Sequence, residues 1–315
     1  MKFKQYNNCF LNRTTGRTGC FFFFCILSLV FHGACTSRSV HPAPGPASGV
    51  LDPGGYTFTF LEWRGEGPPI IFLHGLGGNA LVFGGLVEDL GHRNMIAIDL
   101  PGHGLTPAPR RPEEWALDAI DRALVRAVRA RWPGSHIWAG HSWGGKLAIG
   151  GAAMDGDSTI GLMLFDPTPT GPVSNEDPEG SIDSYFKIEF GPHRNLDEAI
   201  STVNTLPQYS PWSANLEQQY RRSIHLAPDG SVTSILTRES ALAVVESTSQ
   251  DFNEMAASIH SPVLLLLASE TPQELHQESD TFEATQLVEI ESNHWILSNN
   301  RPAVAFAVRR WLSHF

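Results

Sequence analysis

A chain of 315 residues that is 42% hydrophobic and 17% charged has the composition of one large globular domain, with or without an insertion. Its formal net charge is −11, and its first 34 residues hold four basic and no acidic side chains, which leaves −15 on the rest. So acidic a body excludes nucleic acid as an expected partner, because phosphate binding requires positive charge. The sequence has no metal-ligand cluster, Walker loop or nucleotide fingerprint, and we expect neither a metal nor a cofactor.

Residues 1–34 have the pattern of an export signal. Basic residues precede an apolar run over residues 20–31, which is shorter than the roughly 20 residues that a membrane-spanning helix needs. Two small residues then precede Cys35, a spacing that resembles the bacterial lipobox, although His32 stands where that motif prefers an aliphatic residue. We predict an exported protein that is anchored in a membrane by lipid on Cys35, with simple cleavage near Ala34 and secretion as the alternative.

The cysteines fit export without disulfides. Three of the four lie in the first 34 residues, so Cys35 has no partner in the mature chain. Residues 35–52 are rich in proline and glycine, which predicts a tether ahead of the folded body.

From residue 53 onward, short apolar runs alternate with helical patterns. Residues 56–63 alternate and are rich in β-forming residues, which predicts one or two antiparallel edge strands. The runs at 70–73 and 95–98 are fully apolar, as expected of strands covered on both faces, with a break over 65–69 before the first of them. Residues 113–132 carry apolar side chains at helical spacing, which predicts a helix.

The stretch 137–148 places Gly-x-Ser-x-Gly between a predicted strand and a predicted helix. This context suits a nucleophile elbow, in which Gly140 and Gly144 allow a tight turn and Ser142 projects from the sheet. The backbone N–H of Trp143, at the start of the helix, would then face a developing oxyanion. A glycine-rich loop after the 70–73 strand would supply the second donor, the N–H of Leu76.

After a further buried strand at 160–165, the pattern changes. Residues 167–258 lack strongly apolar strand runs and show polar helical patterns over 197–203, 214–224 and 238–247, which predicts a helical cap inserted after the sixth strand. Aromatic residues in this segment would line a ligand site or pack the cap: they are Tyr185, Phe186, Phe190, Tyr209, Trp212 and Tyr220.

The core pattern resumes with predicted strands at 262–268 and 283–290 and a closing helix at 300–312. The core therefore comprises residues 53–166 and 259–315. Alternating strands and helices predict an α/β fold, a mostly parallel doubly wound sheet with helices on both faces. Active residues should lie at the carboxyl ends of its strands.

A serine nucleophile needs a base that is itself oriented by a carboxylate. His294 follows the last strand and is the expected base. The acid is either Glu270, after the 262–268 strand, or Asp166, after the 160–165 strand, since adjacent strands lie about 5 Å apart and either carboxylate could reach. We favour Glu270, because its strand lies further along the chain order serine, acid, histidine.

The chain from about residue 56 to 315 resembles the α/β-hydrolase superfamily. Four motifs in the order typical of that superfamily carry the resemblance: His74-Gly75, Asp99-Leu-Pro-Gly-His-Gly104, Gly140-His-Ser-Trp-Gly-Gly145 and Asn293-His294. The resemblance implies a triad of Ser142, Glu270 and His294, with Leu76 and Trp143 as oxyanion donors. It also implies that Asp99 is structural. Where the family usually has Gly-x-x-Asp, this chain has Ala268-Ser-Glu-Thr, so Asp166 stays as the alternative acid.

The resemblance further implies a hydrolase. A serine at the elbow argues against the dehalogenase and epoxide hydrolase branches, which use aspartate there. We expect cleavage of a small to medium, largely apolar carboxylic ester through an acyl-enzyme intermediate.

Alternatives remain. One is a cap-bearing aminopeptidase, which would hold the substrate amine on cap carboxylates such as Glu189, Glu198 or Glu217. Another is a carbon–carbon bond hydrolase. A third, of a different class, is a non-catalytic binding protein on the same fold, against which the retained Ser142 and His294 count.

Overall fold

The structure is a computed structural model that describes residues 45–173, 177–180, 182–183, 189, 191–272 and 280–315. The predicted export signal and Cys35 lie outside the described residues. The strands are, in chain order, β1 (Ala47–Leu51), β2 (Phe58–Trp63), β3 (Glu66–Leu73), β4 (Arg93–Ile98), β5 (His136–His141), β6 (Thr159–Phe165), β7 (Ile224–Leu226), β8 (Val232–Ser234), β9 (Val263–Ala268) and β10 (Thr285–Ile290). The helices are α1 (Gly84–Leu90), α2 (Leu117–Arg131), α3 (Trp143–Asp155), α4 (Leu196–Val203), α5 (Ala214–Arg222), α6 (Arg238–Ser247), α7 (Asn253–Ala257), α8 (Ile296–Asn299) and α9 (Arg301–Leu312).

Eight of these strands form one sheet in the order β1-β2-β4-β3-β5-β6-β9-β10. The pairs from β4 to β10 are parallel, and β1 and β2 pair antiparallel at one edge, as the sequence predicts. Helices α2 and α3 contribute apolar side chains to the core on one face, while α1 and α9 contribute to the core on the other. The predicted α/β fold with a mostly parallel sheet is confirmed.

Burial explains why the central strands were readable from the sequence. All six residues of β9 are buried, and they are all apolar, because helices cover both faces of the sheet there. The edge strand β10 is mostly exposed or half-buried instead, and only Ile290 at its end is fully buried. Because the parallel strands share one direction, the loops that follow β3, β5, β6, β9 and β10 meet at one edge of the sheet.

Two predictions near the amino-terminal edge need correction. The predicted tether over 35–52 overlaps β1, which is hydrogen-bonded to β2. Composition hides this strand because it is an exposed edge, and its Gly49 lies where a Cβ would overlap the Phe60 ring unless that ring shifted. The predicted break over 65–69 lies largely inside β3, which begins at Glu66 and accommodates its prolines by a register shift before Ile70.

The segment predicted as a cap contains α4, α5 and α6, together with an antiparallel hairpin of β7 and β8. The hairpin was missed because its strands are three residues long and the first has no fully buried side chain. Helix α5 ends at Arg222 rather than at residue 224, because Ile224 already begins β7. The cap packs around its own apolar cluster, which includes Tyr209 and Tyr220.

The two ends of the cap lie side by side. The backbone N–H of Val173, on the way into the cap, donates to the Thr248 carbonyl at its exit, 3.2 Å away. The buried Lys146 on α3 donates from Nζ to the carbonyls of Gly171 and Thr248, at 2.8 Å each. One ammonium group therefore ties both ends of the cap to the helix that follows Ser142. Within the described residues, no helix is long and apolar enough to cross a membrane.

Candidate active site

Ser142 occupies the sharp turn between β5 and α3. Its backbone has φ +53° and ψ −122°, a strained conformation for a residue with a side chain. The turn can close because a Cβ on Gly140 would collide with the Gly144 backbone, and a Cβ on Gly144 would collide with the Leu73 and His74 carbonyls. The strand, turn and helix around Gly-x-Ser-x-Gly thus have the geometry of a nucleophile elbow.

His294 lies in the turn after β10 and reaches back to the elbow. Its Nε2 is 2.9 Å from Ser142 Oγ, and its Nδ1 is 2.6 Å from Asp166 Oδ2. Because the carboxylate accepts from Nδ1–H, Nε2 is left to accept the Ser142 proton. The His294 side chain is 43% exposed, so an incoming substrate can reach it.

Asp166 is held by three donors. Its Oδ2 accepts from His294, and its Oδ1 accepts from the Ala268 N–H at 2.9 Å and from the Thr271 hydroxyl at 2.6 Å. Burial by itself would raise the pKa of the Asp166 carboxyl, but these hydrogen bonds outweigh it and hold the pKa below its usual value. The carboxylate is therefore ionised and oriented toward the histidine.

From the sequence we favour Glu270 as the acid, but the structure places Asp166 beside His294 instead. The Thr271 N–H donates to the Ala268 carbonyl at 3.0 Å, so the chain turns sharply after β9, and Glu270 lies exposed in this turn. Asp166, at the end of β6 and next to β5, is the carboxylate on the histidine. The order serine, acid, histidine holds for either residue and could not separate them.

The two predicted oxyanion donors belong to the helix that follows Ser142 and to the loop after β3. Trp143 is the first residue of α3, so its N–H has no acceptor within the helix. The loop that carries Leu76 passes close to the serine: a Cβ on Gly75 would lie 3.0 Å from Ser142 Cβ and 3.0 Å from His141 Nδ1.

Two buried histidines fix the loop after β3. His74 Nε2 accepts from the Leu100 N–H at 2.9 Å, and His103 Nε2 accepts from the Gly77 N–H at 3.1 Å. Burial lowers the pKa of His74 to about 4 and that of His103 to about 3, so both rings are neutral and available as acceptors. The motifs around His74 and His103 thus hold the backbone that would face an oxyanion.

His141 packs against His294 and holds its backbone, a contact that sequence reasoning missed. Its Nε2–H donates to the His294 carbonyl at 2.9 Å, and the two rings lie 4.9 Å apart. Burial, and then the proximity of His294, lower the pKa of His141 to about 3, so this ring stays neutral. Thr271, which orients Asp166, was also missed. His141 lies inside the elbow motif, but nothing in that motif indicates its contact with His294, and Thr271 has no sequence signal apart from its place after Glu270.

Two cavities lie beside the site, and Ser142 lines neither of them. A partly enclosed one of about 20 Å³, here called the enclosed cavity, lies between the loop after β3 and the cap. Its polar lining from the cap is Glu189, Gln208, Tyr209 and Gln219. An open cleft of about 480 Å³ lies on the other side, along Asp166, Asn293 and His294. Trp295 borders both cavities.

The three cap carboxylates named from the sequence have different surroundings. Glu198 and Glu217 form ion pairs with Arg194 and Arg221 at the cap surface. Glu189 is instead buried in the enclosed cavity, where it accepts a hydrogen bond from Gln208 at 2.5 Å.

Of the six cap aromatics, Tyr185, Phe186 and Phe190 lie outside the described residues. Tyr209 and Tyr220 are buried in the cap cluster and Trp212 packs against it, so these three mainly hold the cap together. Tyr209 also lines the enclosed cavity. Within the described part of the chain, no group of three His, Cys, Asp or Glu residues could hold a metal ion.

The eight-stranded sheet, the serine at a strained turn and the histidine–carboxylate pair beside it define an α/β hydrolase. A family model described as "Alpha/beta hydrolase family" matches residues 70–308. The chain belongs to this family.

Individual proteins also match the chain, at modest sequence identity. The chain is 38% identical over 110 residues to an esterase of Mycobacterium tuberculosis, covering 35% of this chain and only 36% of that protein. It is 27% identical over 263 residues to the pimeloyl-[acyl-carrier protein] methyl ester esterase of Shewanella oneidensis, covering 81% of this chain and 95% of that protein. The crystal structure of E-2-(acetamidomethylene)succinate hydrolase shares the fold, with a TM-score of 0.72 at 18% identity over 85% of this chain and 99% of that one.

Proposed function

We propose that this protein is a serine hydrolase that cleaves a carboxylic ester through an acyl-enzyme intermediate. The observation that carries the proposal is the continuous contact from Ser142 Oγ through His294 to Asp166, at 2.9 and 2.6 Å. Support for an ester comes from the relatives, which are named as esterases.

Each residue has a defined task in this reaction. Ser142 Oγ attacks the ester carbonyl while His294 Nε2 accepts its proton, and Asp166 stabilises the resulting imidazolium. The oxyanion receives hydrogen bonds from the N–H groups of Leu76 and Trp143. His294 then returns the proton to the leaving alcohol, and a water molecule hydrolyses the acyl-serine by the same route.

The test combines covalent labelling with turnover. A fluorophosphonate probe should label the wild-type protein and fail to label Ser142→Ala, and the substitution should lower kcat on p-nitrophenyl esters by about 10⁶-fold. Ser313→Ala, at the exposed end of α9, is the matched control and should keep both signals. Labelling that persists in Ser142→Ala would remove this serine from the reaction.

A second part of the proposal concerns the length of the acyl chain of the substrate. We propose a small to medium ester, because the enclosed cavity holds about 20 Å³ while the open cleft beside His294 holds about 480 Å³. A p-nitrophenyl series from acetate to palmitate should have its maximum at short or medium acyl length.

We further propose that the protein is exported and held at a membrane through lipid on Cys35. The support is in the sequence alone: the short apolar run, the two small residues before the cysteine and the proline-rich stretch after it.

A further inference from the structure

The open cleft is lined by the catalytic histidine. Its volume of about 480 Å³ lies in the range of small-molecule binding sites, roughly 300–1,000 Å³. His294 Nε2, which is 2.9 Å from Ser142 Oγ, must deliver a proton to the leaving alcohol. Because the alcohol oxygen lies beside His294 when it receives this proton, the cleft is the space next to the departing alcohol.

Five side chains that are themselves apolar rings line this cleft: Pro167, Pro169, Pro207, Pro272 and Trp295. They come from four parts of the chain, namely the loop after β6, the cap, the turn after β9 and the turn after β10. A proline ring fixes its own φ and carries no N–H, so the four prolines form rigid walls without backbone donors. Rigid walls lose little conformational entropy when a ligand is bound. The prolines therefore favour a compact apolar group.

Trp295 is held in place beside the catalytic histidine. Its ring centroid lies 5.4 Å from that of His294, in an edge-to-face arrangement, and 5.8 Å from that of His141. Its backbone N–H donates to Asn293 Oδ1 at 3.0 Å, which fixes the turn that carries both Trp295 and His294. The indole is half-buried and lines the cleft. It therefore offers a flat ring a surface for offset-stacked or edge-to-face contact at a set distance from the reacting nitrogen.

The wall formed by the loop after β6 is fixed to the elbow as well. The Thr168 N–H donates to the Ser142 carbonyl at 3.0 Å. Pro167 packs against α3 so closely that a Cβ on Gly145 would lie 2.7 Å from its own Cβ. The distance between this wall and the serine is therefore set by the backbone, and the cleft is formed before any substrate arrives.

We propose that the open cleft binds the leaving alcohol of the ester and that Trp295 selects alcohols that carry an aromatic or saturated ring. Trp295 is thus a specificity-determining residue, because its indole contacts the alcohol part of the substrate. The inference rests on the proposed ester hydrolysis and adds the chemical class of the alcohol to it.

The experiment compares acetate esters that differ only in the alcohol. Ethyl acetate is paired with 2-phenylethyl acetate and 2-cyclohexylethyl acetate, which add a ring to the same ethyl group. All three esters form the same acetyl-serine, so the effect of the alcohol is read from kcat/KM, which reports acylation. Wild-type kcat/KM should be about ten- to hundredfold higher for the ring esters, as expected from burial of a ring against apolar walls and an indole.

Trp295→Ala should lower this ratio at least about fivefold, the size of an aromatic pair contact. Because the ratio is measured within one variant, a general loss of rate from the contact with His294 cancels. Trp63→Ala is the matched control and should keep the ratio, since Trp63 is also half-buried but lies beside Met95, at the amino end of β4 and away from the catalytic loops. Thr168→Phe keeps the indole but fills the cleft, and it should lower the ratio even if Trp295→Ala folds poorly.

Two results would overturn the proposal. One is a wild-type ratio near one, or a ratio that both Trp295→Ala and Thr168→Phe leave unchanged. The other comes from ethyl phenylacetate, an isomer of 2-phenylethyl acetate with the ring on the acid. If Trp295→Ala removes an equal advantage from this isomer, the indole does not distinguish the alcohol from the acyl part.

Binding separates the inference from the hydrolysis on which it rests. Calorimetry with Ser142→Ala should show 2-phenylethanol binding at least about fivefold more tightly than to the double variant with Trp295→Ala, and the double variant with Trp63→Ala should keep the affinity. If the wild-type protein hydrolyses no ester but this difference holds, the reaction is wrong and the alcohol site is right. Normal hydrolysis of ethyl acetate without the difference would overturn the alcohol site alone.

Discussion

Arg222, the last residue of α5 in the cap, donates from Nη2 to Oδ2 of Asp99 at the carboxyl end of β4, at 2.5 Å. The Asp99 side chain is fully buried, and that of Arg222 is 14% exposed. Asp99 also accepts from the Ala80 N–H, next to the loop that carries Leu76. Burial opposes ionisation of Asp99, but the hydrogen bond and charge of Arg222 outweigh it and lower the pKa. One core carboxylate thus joins the cap to the oxyanion loop.

Substitution of Arg222 by Met should destabilise the protein and impair turnover together. Breaking a buried ion pair costs about 3–5 kcal/mol, and the lower end applies here because Asp99 keeps hydrogen bonds from Thr59, Ala80 and Leu105. The measurement is urea unfolding alongside kcat/KM. Arg221→Met, which removes an exposed pair with Glu217, should change stability by less than about 1 kcal/mol. Equal losses in the two variants would refute the anchoring role of Asp99.

The triad acid is tested by two conservative substitutions. Asp166→Asn should lower kcat by about 10⁴-fold, because the amide no longer favours the His294 tautomer with hydrogen on Nδ1. Glu270→Gln should stay within a few-fold of wild type, since its side chain is exposed in the turn after β9. Steady-state kinetics with circular dichroism as a folding control decide the matter, and the opposite ranking would restore Glu270 as the acid.

Stability should depend on pH through His136, at the start of β5. Its Nδ1 contacts Asp155 Oδ2 at 2.7 Å and its Nε2 contacts the Trp132 carbonyl at 2.5 Å, so both nitrogens donate and the ring is protonated. Burial lowers the pKa of His136, but these two acceptors outweigh it and raise the pKa above the usual value. The stabilisation is complete below the unfolded-state pKa of about 6.5 and is lost as pH rises through the higher folded-state pKa.

His136→Leu should therefore cost more unfolding free energy at pH 5.5 than at pH 9, measured by urea denaturation at both values. His260→Leu is the control, because His260 pairs with Glu283 at the surface, where both side chains are at least 70% exposed. Its cost should be small at both pH values. A His136→Leu cost that is the same at pH 5.5 and pH 9 would contradict a protonated His136.

Lipid on Cys35 is checked by fractionation and mass spectrometry. Each buried methylene of an acyl chain contributes about 0.8 kcal/mol, so a protein that carries several chains should sediment with membranes. Cys35→Ser should be soluble or remain uncleaved. Ser39→Ala, a change in the same stretch that leaves the cysteine in place, is the control and should sediment like the wild type. An unmodified Cys35 in the mature chain would leave secretion as the explanation.

The elements that the sequence predicted well are those whose environment is uniform. Strand β9 is covered on both faces and is wholly apolar. The elbow is a local motif in which Gly140 and Gly144 lie so close to neighbouring backbone that a Cβ would collide with it. The opposite holds for β1, which pairs through backbone groups at an exposed edge and needs no apolar pattern.

The acid could not be assigned from the sequence because it depends on the direction of a turn. Asp166 and Glu270 both follow core strands, and they differ only in the folded chain, where Asp166 is bonded to His294 and Glu270 lies exposed in the turn after β9. Glu189 shows the same limit in the cap. It looks equivalent in sequence to Glu198 and Glu217, and only the packing of the cap buries one of the three.

Because the two ends of the cap are adjacent and both are bound by Lys146, the cap can be treated as one exchangeable insertion. Because Val173 and Thr248 are already hydrogen-bonded neighbours, a replacement cap of different size can leave and rejoin the core at the same two points. The recognition surface can then diversify by replacement of a whole insertion, on the condition that the new segment keeps a cation beside Asp99 where Arg222 now lies. A chimera that keeps residues up to 173 and from 248 onward would place a foreign specificity over the same serine.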